Sequence, residues 1–565
     1  MPTFPVRSDT LSPEELARIK PPRSRKRASQ WIRFMIWYNM YKRLFTIIVL
    51  FNFIGMICAA SGAWQYPREY TSGFVLGNLL IAVLVRTELF ARFAYLVVTS
   101  LFAKWPPLWF RLGISSILQH LGGVHTGCAI SGTMWLLFRI CLVTVDSAKY
   151  NPAIIVTGFG NLICLVIAMT VAIPWIRNHH HNVFEGYHRL VGWLGVVFTW
   201  LFTVLSDSYD MKTHKFDASG ASVVAHQEFW FLLFMTICIL IPWFTVRKVP
   251  VEIEIPSPKV AILKFKRGMQ QGMLARISHH PIMEYHAFGI ISESKDADCH
   301  YLVAGVQGDF TRGLVENPPT HLYTRELKIT AISNTSTLYR RGVRVCTGTA
   351  IGAALATCIQ NPNWYLVWIG SGQIATFGPT IAGLIHKHLH PGRVTIWDTK
   401  ERGGRPDTAK MVSEICKIWE AECVIVTSNL KGSTEIMESL IGEGIPCFGT
   451  LFDFCKCAFC RCSIIPDLFP GALHDTPHTL SPAQSARHGE RKQAPARTPL
   501  VISSHLLTDR TTHTHPHHTI GLAVPKHRLR QPPLIYYITS LVIRRRYASE
   551  ELVIPPRYWL PRVAG

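Results

Sequence analysis

The sequence predicts a six-helix transmembrane bundle followed by a two-part cytosolic module, a small antiparallel β-barrel and then a doubly wound α/β domain. Three observations carry that prediction. Hydrophobic residues make up 48% of the 565 and charged ones only 17%, a balance rare in a soluble protein of this size and foreign to a disordered chain. Apolar runs long enough to cross about 30 Å of hydrocarbon, roughly 20 helical residues, are confined to the part before Arg247. Beyond Arg247 the apolar residues fall into short strand-like runs, and from Gly342 those runs alternate with helical ones.

Charge is placed as a membrane protein places it. Of the net +22, residues 1–43 carry +7 and residues 455–565 carry +9, so the long middle is close to balanced. A basic segment directly before the first apolar run follows the positive-inside bias and suits an anionic leaflet, and nucleic acid is excluded as a partner. No cleavable signal peptide is expected, because a basic 43-residue segment comes before the first apolar run.

Six runs qualify as spans: Leu44–Trp64, Thr71–Ala103, Gly113–Val145, Pro152–Trp175, Phe184–Leu205 and Glu228–Phe244. Arg86, Glu88 and Arg92 interrupt the second. Six crossings return the chain to its starting side. They set the Arg23–Arg27 cluster, the loop at Lys104–Arg111, Arg177–His181 and Arg247–Lys248 on one face, and Asp146, Asp207, Asp210 and Asp217 on the other. The expectation is a multi-pass membrane protein with both termini cytosolic: a basic segment 1–43, a six-span domain 44–247, and cytosolic material from 248 onward.

Histidine and glycine stand out in the spans. His120 and His125 sit in the third span, and His179–His181 and His188 at the start of the fifth. Neutral imidazole on facing helices is a usual axial ligand of haem iron, which makes His125 and His188 the best pair. The run His120-Leu-Gly-Gly-Val-His125-Thr-Gly implies close approach of either a neighbouring helix or a flat macrocycle.

Residues 248–341 read as the barrel, with strands at Val249–Ile255, Val260–Lys264, Gly272–Ser278, Tyr285–Ser292, Tyr301–Val306 and His321–Lys328. Residues 342–454 read as the nucleotide-binding domain. Its strands are Val343–Cys346, Trp364–Ile369, Arg393–Trp397 and Cys423–Thr427. Its helices are Gly352–Gln360, Pro379–Leu389, Asp407–Glu420 and Ser433–Gly442. The first strand-to-helix turn, Thr347-Gly348-Thr349-Ala350-Ile351-Gly352, can bring backbone N–H groups against a pyrophosphate. The third strand ends in Asp398-Thr-Lys-Glu-Arg-Gly-Gly-Arg405-Pro406-Asp407, where open α/β sheets hold ligands. There Lys400, Arg402 or Arg405 suits the 2′-phosphate of NADPH, and Asp398 equally suits a ribose hydroxyl.

The order bundle, barrel, nucleotide fold resembles the ferric reductase and NADPH oxidase superfamily. Glu284-Tyr285-His286-Ala287-Phe288-Gly289-Ile290 resembles its His-Pro-Phe-Thr flavin motif, and Gly308-Asp309-Phe310-Thr311 its Gly-Asp-Trp-Thr stretch. Gly348–Gly352 resembles its NADPH loop. The wording "RTELFARF", "GGVHTGCAISG", "EYHAFGI" and "IWDTKERGGRPD" is most similar to the fungal TmpA-type integral membrane flavoproteins. The resemblance implies a ferredoxin-reductase-like module holding FAD at Tyr285, His286, Ala287, Phe288, Gly289 and Thr311. It implies NADPH or NADH at Gly348, Thr349, Ala350, Ile351, Gly352, Arg405, Pro406 and Asp407.

Two departures matter. Ala287 stands where the motif has proline, and Gly289 where it has a hydroxyl residue. Members that carry electrons across the bilayer pair their haem histidines about four turns apart, and no histidine follows His120, His125, His181 or His188 at that distance. At most one haem b is expected, and no two-haem relay. The expected activity is NAD(P)H-dependent flavin reduction, with electrons passing to an unknown cytosolic or membrane-dissolved acceptor. The alternative is a catalytically degenerate reductase fold with a signalling or scaffold role. Residues 455–565, with Cys455-Lys-Cys-Ala-Phe-Cys-Arg-Cys462 and "THTHPHH", read as low-complexity sequence without a packed core, as translated non-coding sequence would be.

Overall fold

The computed structural model describes residues 28–282 and 284–450. The Arg23–Arg27 and Cys455–Cys462 clusters and the rest of the tail lie outside the described residues, as does the side chain of His181.

Among the described residues, five helices are long and apolar enough to cross a membrane: Met40–Ala60, Leu121–Val145, Pro152–Val171, Val183–Ser208 and Gln227–Phe244. Local sequence sets their starts. The side chains of Asn39 and Asn151 accept the backbone N–H of Lys42 and Ala153, and Pro152 takes the first turn, where its missing donor costs nothing. The glycines of the third run serve a neighbouring helix. A Cβ on Gly123 would strike the Tyr41 carbonyl, and one on Gly127 would lie 3.1 Å from Ile48. Buried amides tie the helices together: Asn78 Nδ2 and Trp135 Nε1 donate to the same Asn52 Oδ1 at 2.9 and 3.0 Å.

Two expected spans are interrupted, and the first interrupted pair, counted as one broken span, brings the number to six among the described residues. Thr71–Ala103 is not one helix but two, Thr71–Leu84 and Glu88–Leu101, bent by 74°. The first has 14 residues and so a length of about 21 Å, short of the hydrocarbon thickness. The span expected at Gly113–Val145 starts at Leu121, behind a separate helix Leu108–Gln119 that breaks at His120. The charges explain both breaks. Glu88, 2% exposed, accepts from Arg276 and Arg325 of the barrel at 2.5 and 2.7 Å. Arg111, 3% exposed, forms a two-pronged pair with Glu422 of the α/β domain. Tyr95, Val98 and Leu118 belong to the core of that domain. Residues 88–119 are therefore a helical connector seated on the module.

The barrel strands are β1 (Val246–Pro250), β2 (Glu252–Ser257), β3 (Val260–Lys266), β4 (Met273–Ser278), β5 (His286–Ile291), β6 (Cys299–Gly305), β7 (His321–Arg325) and the short β8 (Ile329–Thr330). They form one curled antiparallel sheet in the order β1-β7-β4-β5-β6-β3-β2, with β8 beside β4. Its core is Ala261, Leu263, Ile277, Leu302 and Leu322, the inward half of each alternating run.

Lys328, between β7 and β8, is 5% exposed and donates to Thr324 Oγ1 and the Arg325 carbonyl. Burial, reinforced by the charge of Arg267, pushes its ammonium down to about 8. An unfolded lysine titrates near 10.4, so the unfolded chain binds more protons between about pH 8 and 10.4, and stability rises with pH through that window. Lys328→Met is expected to abolish this rise, read as the difference in Tm between pH 8 and pH 10.

The α/β domain is a five-stranded sheet of β9 (Gly342–Thr347), β10 (Trp364–Gly370), β11 (Val394–Asp398), β12 (Cys423–Thr427) and β13 (Cys447–Gly449). All neighbours are parallel, in the order β11-β10-β9-β12-β13. Helices Ile351–Gln360 and Gln373–His388, kinked at Gly378, cover one face. Thr408–Trp419 and Leu430–Gly442 cover the other. The apolar runs of β10 and β12, and of β9 around Arg344, are buried on both faces, as a doubly wound sheet requires.

Candidate functional site

A cavity of about 910 Å³ opens between the barrel and the carboxyl ends of the parallel strands. Residues 285–289 line it from β5 and its approach, joined by Phe310 and Thr311. Thr347, Gly348, Thr349, Ala350 and Gly352 line it from the turn after β9, and Arg405 and Pro406 from the loop after β11.

The residue chemistry divides in two. On the barrel side the rings of His279, His286 and Phe288 gather around Phe310, with His286 and Phe310 stacked at 4.0 Å. This is an aromatic shelf. Thr311 Oγ1 accepts the N–H groups of Gln307 and Gly308 at 3.0 and 3.2 Å, so its hydroxyl fixes the loop carrying Phe310. The Tyr285 hydroxyl donates to the Pro281 carbonyl, and the Arg325 guanidinium lies 5.0 Å from its ring. Burial raises the Tyr285 phenol above its ordinary value. On the nucleotide side Gly348 has φ 52°, and a Cβ there would meet nothing within 4 Å, so its backbone faces open space. Trp368 Nε1–H donates to the Gly348 carbonyl at 3.0 Å and holds the turn.

Gly289 shows why the flavin-motif hydroxyl is missing. A Cβ at that position would run into Ala353 Cα and lie 2.6 Å from the Gly352 carbonyl oxygen. The barrel strand rests directly on the first turn of helix Ile351–Gln360, and only glycine permits it.

Two expected residues lie elsewhere. Ile351 is fully buried in the domain core. Asp407 caps helix Thr408–Trp419, its carboxylate accepting the Lys410 N–H at 3.3 Å. The open choice among the charges after β11 is also narrowed. Asp398 accepts the N–H groups of Lys400 and Glu401, and Arg402 stacks on Trp397 at 4.7 Å, which leaves Arg405 at the cavity. Burial works to raise the Asp398 carboxyl, but the backbone N–H groups that it accepts outweigh this and hold it below the ordinary carboxylate range.

Sequence reasoning missed the wall made by Thr427, Ser428, Asn429 and Gly432. Asn429 Oδ1 accepts the Gly432 N–H at 2.8 Å and so caps helix Leu430–Gly442, while the Thr347 and Ser428 hydroxyls bond at 2.8 Å. The signal was available: a polar capping pair follows the fourth parallel strand at its ligand-holding end. Glu185, at the start of the long helix His181–Ser208, brings the bundle to the rim of the same cavity.

The haem candidates are held in one tautomer. The Nδ1–H of His125 donates to the Ala82 carbonyl at 2.8 Å, and that of His188 to the Ala168 carbonyl at 3.0 Å. In the neutral rings Nε2 keeps its lone pair, the condition for an axial ligand. Neither ring lines the cavity described above. Among the described residues, the one group of three that could hold a metal ion is Asp207, His226 and Glu228, which includes neither.

Comparison with known proteins points to reductases. A family described as the C-terminal domain of adenylate-forming reductase 03009 matches residues 332–454. Over 424 residues the chain is 29% identical to adenylate-forming reductase 03009 of Coprinopsis cinerea, covering 74% of this chain and 40% of that one. Adenylate-forming reductase 06235 of the same organism is 27% identical over 426 residues, with the same two coverages. The chain thus spans about two fifths of the length of these relatives. Among solved structures, the ferredoxin reductase in carbazole 1,9a-dioxygenase overlaps 37% of this chain and 70% of its own, at 12% identity and a TM-score of 0.29. Phthalate dioxygenase reductase overlaps 36% and 67%, at 10% identity and 0.29. At such scores these overlaps carry no weight.

Proposed function

We propose that this chain is a membrane-bound FAD-dependent oxidoreductase that takes electrons from NAD(P)H and passes them to a cytosolic or membrane-dissolved acceptor without a two-haem relay. What supports the reading most is that the strand resembling the flavin motif and the glycine-rich turn after β9 line one cavity of about 910 Å³. That volume is at the upper end for small-ligand sites, as two adjoining cofactors require. The relatives' shared name, reductase, agrees with it.

A bound flavin supplies two-electron acceptance from a reduced nicotinamide and onward release of those electrons. The chain's own residues position and protect. The His286–Phe310 shelf orients a planar ring. The N–H groups from Gly348 to Ala350, at a helix start, and the Arg405 guanidinium hold phosphate. The contact of Gly289 with Gly352 and Ala353 keeps barrel and nucleotide domain at fixed separation and excludes water between them.

The bundle is read as crossing a bilayer with the module on the cytosolic side, because Arg86, Arg92 and Arg111 gather at the module end and Asp146, Asp207 and Asp210 at the other. The flavoprotein reading at the level of the TmpA-type branch belongs to this proposal, and so does a single haem at most. The scaffold alternative loses one support, since Gly289 answers to packing.

Arg405→Ala tests the nucleotide half. Losing a charge-assisted bond of about 1.5–3 kcal/mol is expected to raise the KM for NADPH roughly 10- to 150-fold while leaving that for NADH within a few-fold. Equal effects on both would show that Arg405 does not read a 2′-phosphate.

A further inference from the structure

A second cavity, of about 180 Å³, lies where the helix break meets the module. Val85 and Arg86 at the break and Leu121 and Gly122 at the start of the next long helix form its bundle side. Leu274 and Arg276 of β4 and Arg344 of β9 form its module side. Ala353, Thr427 and Thr450 line both this cavity and the large one, so the two are separated by a single layer of residues.

The chemistry of the walls is one-sided. Among the described residues, three arginines line the cavity and no aspartate or glutamate does. Arg276 is paired with Glu88. Arg344 is 1% exposed, and its hydrogen bonds go to neutral oxygens: the Ile425 and Ala353 carbonyls and the Ser333 hydroxyl. Its Nε, also buried, has no hydrogen-bond partner. That donor has no surface of its own on the cavity, so it adds to the positive character of the wall rather than to its hydrogen bonding. The remaining wall is mainly apolar. A dry cavity of about 150 Å³ takes a benzene ring, so this one has room for a one- or two-ring head and is too small for a nucleotide.

We propose that this cavity is the acceptor site, and that the acceptor is a lipophilic quinone. Its ring sits between Leu274 and Tyr95, its carbonyl oxygens accept from the arginine side, and its tail leaves past Val85 and Leu121 toward the bundle. The inference rests on the function proposed above. The reaction balances as NAD(P)H + quinone + H⁺ giving NAD(P)⁺ + quinol. Two electrons and one proton come from the nicotinamide as hydride equivalents, the second proton comes from water, and both C=O groups become C–OH.

The test uses the full chain in detergent micelles. An azido-quinone is expected to label peptides covering residues 272–276 or 329–333, and decyl-ubiquinone to compete for that label. Ala91→Leu, which fills the cavity from the connector helix, is expected to weaken menadione binding at least tenfold while flavin bleaching by NAD(P)H stays unchanged. Labelling elsewhere, unchanged binding in Ala91→Leu, or displacement by laurate in preference to decyl-ubiquinone would overturn the proposal. Should Ala91→Leu not fold, the labelling map of the unaltered chain decides. Quinone binding without a bleachable flavin would sink the proposed function and leave the cavity assignment standing; bleaching without labelling here does the reverse.

Discussion

Arg111→Met is expected to lower the unfolding free energy by about 3–5 kcal/mol, the usual result of stranding one partner of a buried ion pair. Arg111 Nη1 and Nη2 donate to the two oxygens of Glu422 at 2.6 and 2.8 Å, and Nη1 and Nε also bond the Leu338 and Pro106 carbonyls. Removing the guanidinium leaves a carboxylate that is only partly solvated, takes the Arg111 bond from the Pro106 carbonyl and leaves the Leu338 carbonyl with the Lys104 N–H alone. Burial acts to raise the Glu422 carboxyl, but the bonds from Arg111 and the Arg340 N–H outweigh it and hold the group below the ordinary carboxylate range. The sign follows: a carboxyl whose folded value is depressed contributes stability above its unfolded value, near 4.3, and loses it as pH falls through the folded value. Thermal melts at pH 7 and pH 4 are therefore expected to differ more for the unaltered chain than for Glu422→Gln. Arg111→Leu combined with Glu422→Leu is expected to recover most of the loss, because an apolar pair of similar volume replaces a desolvated one.

Gly289→Val is expected to cost the module its flavin. The added Cβ meets backbone, Ala353 Cα and the Gly352 carbonyl, which no rotamer change can move aside. Either β5 or helix Ile351–Gln360 must shift, at about 1–3 kcal/mol or more, and both carry residues of the large cavity. Protein purified in parallel is expected to hold under a tenth of the flavin of the unaltered chain, with a lower Tm. Full flavin content in Gly289→Val would show that the close contact of the two domains does not shape the site.

Much of this was legible in the residues. Most strands and helices after Gly342 fall within a few positions of those read from periodicity, because runs such as Val343–Cys346 and Cys423–Thr427 are buried on both faces and bounded by turn residues; the helix read from Pro379 begins at Gln373, across the Gly378 kink, and the short β13 was not read. The connector was not legible. Thr71–Ala103 reads as one apolar run because the partners that explain Glu88 lie 188 and 237 positions downstream. Arg111 read as a cytoplasmic loop residue for the same reason, its carboxylate being 311 positions away. In the site, glycine-marked turns were found, whereas the Ser428-Asn429 wall was missed because its polar pair also serves as a plain helix cap. The Gly123–Gly127 run left helix and macrocycle equally open, and only the packing of Tyr41 and Ile48 against it decides.

The central claim is that the module brings a nicotinamide and a flavin together beneath a bundle with too few iron ligands for a relay. An absorption spectrum of the purified full chain, recorded anaerobically before and after NADPH or NADH, tests it most directly. The account predicts an oxidised flavin band that bleaches on addition of the nucleotide, with no more than one haem per chain. A colourless protein indifferent to both nucleotides, or two low-spin haems per chain, would contradict it.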